Sequence, residues 1–381
     1  MDGTLSGLPI EAYTSREWLA RERATIFGNT WQFAGLIEDV AGVGDYVTVQ
    51  AGPFNLLVVR GHDQQLRAFH NLCRHRGTQL LRAVGRRKKA ITCPYHDWSY
   101  SLDGELVGVP KEESEFPGLD KSKLCLHRAA VETWRGMVFV HANPEAEPLS
   151  EWLGDLPSHL GPHRPEELVE VEEGRGQQTI QANWKIVAEN FLDGYHLAHL
   201  HSATLDMYDH SRQVSGQVGP HFHFTEPLGR RYRDNLDKAS PLPRIDHVPD
   251  DQLAVWAPLL FPNLGLSETE SSWLIFHIVP VAPDQTQVVY RTKIMPVSTW
   301  KLYAQGWSSA RYFAGRKPKV GAKGDDDPLA SGDFMAEDVY VCEQQQRSLE
   351  SPLFAESVTA KTLEASVRGF RQEVRRRVLG E

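Results

Sequence analysis

Between residues 183 and 201 the apolar positions Trp184, Val187, Phe191 and Tyr195 recur at steps of three and four, the period that lines side chains along one face of an α-helix. The polar residues Asp193, His196, His199 and His201 would then sit on a helix whose other face is packed. A second stripe, Leu363, Val367, Phe370, Val374 and Val378, predicts an amphipathic helix near the end of the chain, its apolar face belonging to the core. Thr14-x-x-Glu17 ahead of Trp18, Leu19 and Ile26 has the form of a capping box, so a first helix is expected over about 15–28. From Trp31 to Val140 the period shortens. Alternating runs such as Tyr46–Val49 and Leu56–Arg60, split by glycine and Asp-Gly-type turns, predict a small β domain. Ala142–Arg175, rich in proline, glutamate and glycine, reads as a linker. Beyond it, Trp273–Val281 and Gln287–Ile294 read as strands followed by helices, a pattern that predicts a twisted antiparallel sheet with helices across one face, wrapped around a pocket.

Composition narrows the class. The 381 residues are enough for two domains with sizeable cores, and 41% apolar with 24% charged content is ordinary for a soluble globular protein. A net charge of −9 argues against a nucleic-acid partner. No apolar run approaches the ~20 residues of a membrane span, and Met1–Tyr13 lacks the basic start and apolar centre of a leader peptide, so neither membrane nor export is expected and the cytoplasm is the default location. Of four cysteines, Cys125 and Cys342 read as free, at least partly buried thiols, which fits a reducing compartment.

The other two carry the chemistry. Cys73-x-His75 is followed after seventeen residues by Cys93-x-x-His96, and two thiolates with two imidazoles suit a Rieske [2Fe-2S] cluster, in which cysteines hold one iron and histidines the other. Each pair spans one tight turn, with Gly77, Pro94 and Gly104 supplying backbone freedom or restraint. Two Cys-His pairs also suit structural zinc. The stretches Asn71–Gly77 (NLCRHRG), Cys93–Tyr100 (CPYHDWSY) and Trp134–Val140 (WRGMVFV) resemble the Rieske domain of aromatic ring-hydroxylating and related non-haem iron oxygenases, the last looking like the strand that closes that domain. Asp97 departs from the family, which has glycine there, and bears on local charge and potential.

A second redox site is suggested by Asp193, His196, His199 and His201. Two histidines and a carboxylate form a facial triad around iron(II) that leaves positions open for dioxygen and substrate. Helical geometry favours His199 beside His196, because His201 lies five residues on, about 140° round a helix. The resemblance favours His201: Asp-x-x-His-x-x-x-x-His is the oxygenase pattern and maps onto Asp193, His196 and His201, which requires the helix to widen into a π-type turn or end between the two histidines. The third ligand, by resemblance of Ala336–Arg347 to the family's acidic helix, is Asp338, with Asp333 and Glu337 as competitors. The same resemblance makes Asp193 a bridge from His196 to His96 of a neighbouring subunit, with Asn190 and Glu189 as supporting residues.

These readings predict an α+β chain of two domains, and the resemblance implies residues 1–30 as a helix packing on the catalytic domain, 31–145 as an all-β Rieske domain, and 146–381 as a helix-grip domain with mononuclear Fe(II). The resemblance implies a terminal oxygenase, in a head-to-tail homotrimer, that takes electrons from a ferredoxin or flavin reductase and uses O2 on a small organic substrate. No nucleotide or flavin motif accompanies the cluster, so electrons arrive from another protein. The basic run Arg86–Lys89 would be a solvated turn or a rim that steers an acidic partner. An aromatic or other hydrophobic substrate is expected, which would place the chain in aromatic hydrocarbon catabolism. A quaternary ammonium substrate is the alternative, since Glu337–Pro352 looks closer to choline- and betaine-type monooxygenases and a cation suits an aromatic cage. Phe191, Phe222, Phe224, Trp256, Phe261 and Trp273 are equally pocket or core. Gly315–Gly332, with Asp325–Asp327, is expected to form a mobile loop at the pocket entrance, its acids solvated rather than holding magnesium. A Rieske carrier or ligand sensor without oxygen chemistry is the reading from another class.

Overall fold

Alternating runs become strands where every second side chain has a core to fill. The computed structural model describes residues 7–87, 89–314, 327–349, 351–354 and 358–380, and divides into two units, Ala20–Trp152 and Met1–Leu19 with Leu153–Glu381. In the first unit, Asp45–Ala51, Phe54–Arg60, Leu66–His70, Arg128–Trp134 and Met137–His141 form the body of a seven-stranded sheet, with Gln32–Leu36 and Val84–Arg86 at its edges. The strand Phe54–Arg60 is buried on both faces: Leu57 and Val59 enter a core cluster shared with Cys73, Cys93, Trp98 and Tyr100, while Leu56 and Val58 enter another with Val138 and Val140. A small sheet of Ile91–Thr92, Ser99–Tyr100 and Leu106–Gly108 frames the second cysteine turn. Trp134–Val140, expected as one strand, contains a hairpin turn. Arg135 and Gly136 take φ of 50° and 72°, the successive left-handed residues of a tight hairpin whose twist matches its strands.

The second unit is a nine-stranded antiparallel sheet in which Trp273–Ala282 and Gln285–Ile294 pair along their length. The helix Trp184–Leu192 crosses this sheet because its apolar stripe has partners there. Phe191 packs on Phe276 at 6.0 Å between ring centroids, and a Cβ on Gly265 would stand only 2.8 Å from the Phe191 ring, so glycine permits the close approach. Trp184 meets Phe370 of the closing helix Ala365–Leu379 edge-on at 5.6 Å, and Phe370 in turn packs on Phe222 and Phe261. Each such aromatic contributes about 2–3 kcal/mol by burial. The arrangement is the helix-on-sheet grip, and the chain is α+β.

Several boundaries differ from the sequence reading. The helix expected over 15–28 is Arg16–Glu22, followed by a π turn over Arg23–Phe27. Its cap is Ser15, whose hydroxyl accepts from Trp18 N and donates to Glu17, because Thr14 already closes the short helix Glu11–Thr14 by bonding Ile10 O. The span 142–175 holds the helix Leu149–Leu153 and the strand Val169–Glu170 rather than plain linker. Leu363 lies outside the closing helix, and Val367, Phe370 and Val374 form its buried stripe. Within the basic run, Arg86 pairs with Asp45 and Arg87 lies over the Tyr46 ring, while Lys88 lies outside the described residues. So do residues 315–326 of the expected entrance loop. Asp327 caps the short turn Pro328–Ala330. Cys342 is buried, Cys125 half-buried, and both are free.

Candidate metal centres

The two cysteine turns are built alike. Gly77 N returns to Cys73 O and Asp97 N to Cys93 O, each turn closing on a left-handed residue, Gly77 at φ 72° and Asp97 at 57°. Asp97 thus occupies the glycine position of the resemblance in a conformation that aspartate tolerates better than most residues. Both thiols are buried. Burial holds Cys93 above its ordinary range, opposed by the Tyr95 and His96 backbone N–H groups, which favour the thiolate. Cys73 Sγ lies 3.3 Å from Tyr100 Oη. The His75 and His96 rings sit 4.8 Å apart. His75 stacks on Trp98 at an interplanar angle of 10°, its Nδ1 buried without a hydrogen-bond partner. Burial, then the neighbouring His96, lowers the His75 pKa, so the ring is a neutral donor at physiological pH. Two buried thiols and two close imidazoles, one with an orphaned ring nitrogen, fit a [2Fe-2S] group bound by two Cys and two His.

The second constellation depends on a helix that stops early. Trp184–Leu192 ends at Asp193, and a separate turn of helix, Leu197–Leu200, follows, with His196 at its start and His201 at its end. The break therefore precedes both histidines instead of falling between them. Asp193 Oδ1 accepts from Tyr195 N at 2.6 Å, a local bond that competes with helix. At Gly194 any Cβ would meet Gln213 Oε1 at 2.0 Å. Tyr195, placed on the apolar stripe by its spacing, is exposed in consequence.

This geometry brings His201, not His199, to His196. The two Nε2 atoms are 3.2 Å apart, and Asp338 Oδ1 lies 3.0 Å from His201 Nε2 and 3.5 Å from His196 Nε2. Donors about 2.1 Å from a metal at right angles stand about 3 Å apart, so the three atoms fit one face of an octahedral ion. His199 is exposed beside Tyr195. Asn190 donates to Asp338 Oδ1 at 3.1 Å. Of the rival acids, Asp333 caps the helix Phe334–Ser348, and Glu337 reaches the far side of His201, where Oε2 accepts from Nδ1 at 2.7 Å. That contact was not foreseen, though the adjacent acids Glu337 and Asp338 were its visible signal. Asp193 Oδ2 accepts from His196 Nδ1 at 3.1 Å and borders a recess of about 490 Å³ with Asn190, His196 and His199.

Electrostatics suit a cation. Burial disfavours charge on His196, yet the Asp193 and Asp338 carboxylates outweigh it and raise the pKa to about 9. His201 is likewise raised against burial, by Asp338 and then Glu337, and Asp338 is lowered against burial by the two histidines. An entering metal ion displaces these protons, so its affinity rises with pH. Of the aromatics left between pocket and core, Phe222, Phe261 and Trp273 are fully buried core, whereas Phe191, Phe224 and Trp256 are half-buried. Among the described residues no helix is long and apolar enough to cross a membrane.

Residues 158–380 match the ring-hydroxylating α-subunit catalytic domain, and 30–134 match the Rieske [2Fe-2S] domain. The chain belongs to the ring-hydroxylating α-subunit family. Its cofactors are accordingly a [2Fe-2S] cluster and a mononuclear iron. The biphenyl 2,3-dioxygenase α subunit of Rhodococcus jostii (strain RHA1) is 37% identical over 48% of this chain and 41% of its own. The carnitine monooxygenase oxygenase subunit of Escherichia coli (strain K12) is 31% identical over 59% of this chain and 61% of its own. The matched region thus spans about half the length of these curated relatives. Among solved structures, the quaternary ammonium Rieske monooxygenase CntA superposes with a TM-score of 0.77 at 20% identity over 99% of this chain and 98% of that one. Naphthalene 1,2-dioxygenase from Rhodococcus sp. gives 0.73 at 20% identity over 98% and 94%. At these identities the likeness concerns the fold.

Proposed function

We propose that this α-subunit family member is the terminal oxygenase of a Rieske non-haem iron system, with Cys73, His75, Cys93 and His96 holding the cluster and His196, His201 and Asp338 holding the mononuclear iron. The convergence of two Nε2 atoms and one carboxylate oxygen on a single point supports this reading most. When bound, the cluster supplies single electrons and the mononuclear iron a site for dioxygen activation. The chain's own residues set the conditions. Asn190 holds Asp338 Oδ1, Asp193 holds the back of His196, and Phe191 packs their helix onto Phe276 of the sheet. Asp193 is 20% exposed at its side chain, which suits the bridging role toward a neighbouring subunit's His96. With that role come the homotrimer, a separate ferredoxin or flavin reductase as electron donor, and a cytoplasmic setting.

The proposed substrate is an aromatic or other hydrophobic small molecule, oxidised by O2. A quaternary ammonium substrate is the second reading, favoured by the carnitine monooxygenase relative, whose alignment covers more of this chain than the biphenyl enzyme's does. The test begins with iron and acid-labile sulfide per chain on anaerobically purified protein. Three irons with two sulfides are expected. Two irons with two sulfides, unchanged after adding ferrous iron, would make the chain a carrier or sensor. A screen of arenes and quaternary amines with NADH and a surrogate reductase then separates the two substrate readings. Cys93→Ser is expected to remove both sulfides, two irons and the visible absorption, and a variant retaining them would return these loops to the zinc reading.

A further inference from the structure

The two facing imidazoles are held from behind by different carboxylates. His196 donates through Nδ1 to Asp193, three residues before it, at 3.1 Å. His201 donates to Glu337, 136 residues away, at 2.7 Å. Glu337 Oε2 also accepts from the Thr204 hydroxyl at 2.8 Å, and the glutamate is 1% exposed. Thr204 belongs to the turn after His201, where its N–H bonds His201 O. His201 therefore lies where the short helix Leu197–Leu200 has ended, and no regular helix fixes its ring direction. The Phe334 ring, edge-on at 6.1 Å, is its packing partner.

We infer that Glu337 is the positioning residue for His201, an inference that rests on reading the triad as the iron site. A carboxylate on Nδ1 keeps the proton there, which leaves the Nε2 lone pair aimed at the point shared with His196 and Asp338. Glu337 and Asp338 are adjacent on one helix, about 100° apart around its axis. One acid meets the front of the His201 ring and the other its back, so the helix sets the ring's tilt and the donor opposite it together. The bond to Thr204 fastens the turn after His201 to the same oxygen.

Glu337→Ala and Glu337→Asp chains that carry the cluster but have been stripped of mononuclear metal, titrated anaerobically with ferrous iron and separately with Co(II), test this. The shortened acid keeps the charge but withdraws from Nδ1, and serves where the alanine variant does not fold. Both are expected to bind the mononuclear metal about 10- to 100-fold more weakly, with altered Co(II) ligand-field bands, while cluster absorption stays at the wild-type level. Glu337→Gln, which keeps an acceptor oxygen, is expected to recover part of the affinity. A folded alanine or aspartate variant with wild-type affinity and an unchanged Co(II) spectrum overturns the inference and leaves the triad standing. A wild-type chain that takes up no third metal ion overturns the triad itself.

Discussion

Replacing Asp338 by alanine is expected to reduce iron from three atoms per chain to two, with both sulfides and the cluster's visible absorption retained. Asp338 supplies the only anionic donor among the three converging atoms, and among the described residues it is the acid that faces both Nε2 atoms. Its loss leaves two neutral imidazoles and frees the Asn190 amide that bonded it. Two neutral histidines without a carboxylate hold a divalent ion far more weakly, because the site loses both a donor of the two-histidine, one-carboxylate set that suits iron(II) and the negative charge that attracts the cation. The cluster turns lie in the other unit, so their iron and absorption give an internal count against which the loss of the third iron is read. Iron and sulfide analysis decides the outcome: three irons in the variant would move the third ligand away from Asp338.

Arg371→Met is expected to destabilise the catalytic unit by about 3–5 kcal/mol. Glu189 is a buried carboxylate, 6% exposed at its side chain, and Arg371 Nη2 meets it at 2.7 Å. Tyr13 Oη donates to its other oxygen at 2.6 Å, so the guanidinium is the positive partner in this buried group. Burial works against charge on Arg371, but Glu189 and Tyr13 more than compensate and raise its pKa. Removing one partner leaves the other charge in a dry site, which is the expensive half of such a pair. Replacing both, as in Glu189→Leu with Arg371→Met, is expected to recover most of the loss, because apolar packing substitutes well for a buried pair. Denaturant unfolding of the metal-free chain measures both. A single variant within ~1 kcal/mol of the parent would show that Glu189 finds other support. Asn190, next in sequence, bonds Asp338, so any relaxation there should also weaken iron retention.

The cluster was legible because its determinants are local. Four ligands on two five-residue turns leave a spacing that survives without knowledge of tertiary structure, and Tyr100, Trp98 and Gly77 lie within the same short stretches. The mononuclear site was only half legible. Apolar spacing carried the helix past Leu192 through Tyr195, whereas Gly194 and the Asp193 side chain end it, so helical spacing alone pointed to His199 through a helix that is not there, and only the family pattern pointed to His201. The choice among Asp333, Glu337 and Asp338 needed the third dimension, since adjacent acids on one helix point in different directions that composition cannot rank. Strand existence followed from alternation, but the hairpin at Arg135 and Gly136 lay inside an apolar run, where a bulky arginine in a left-handed conformation gives little warning.

The strand Phe54–Arg60 shows where alternation carries no information at all. One of its faces presents Leu57 and Val59, the other Leu56 and Val58. A slip by one position would exchange near-identical sets, so hydrophobicity cannot choose between the two pairings. Discrimination falls to features at the strand's margins. Gly52, at φ 59°, has room for no Cβ, which would stand 1.9 Å from Arg23 O, and Asn55 Oδ1 accepts from Asn71 Nδ2 at 2.6 Å. Asn71 also receives Leu80 N and Leu81 N on its own amide oxygen, tying that alignment to the loop that carries Cys73 and His75. Correct threading of a plain aliphatic strand is therefore a precondition for assembling the iron–sulfur turn, and a polar pair outside the ligand set arbitrates it.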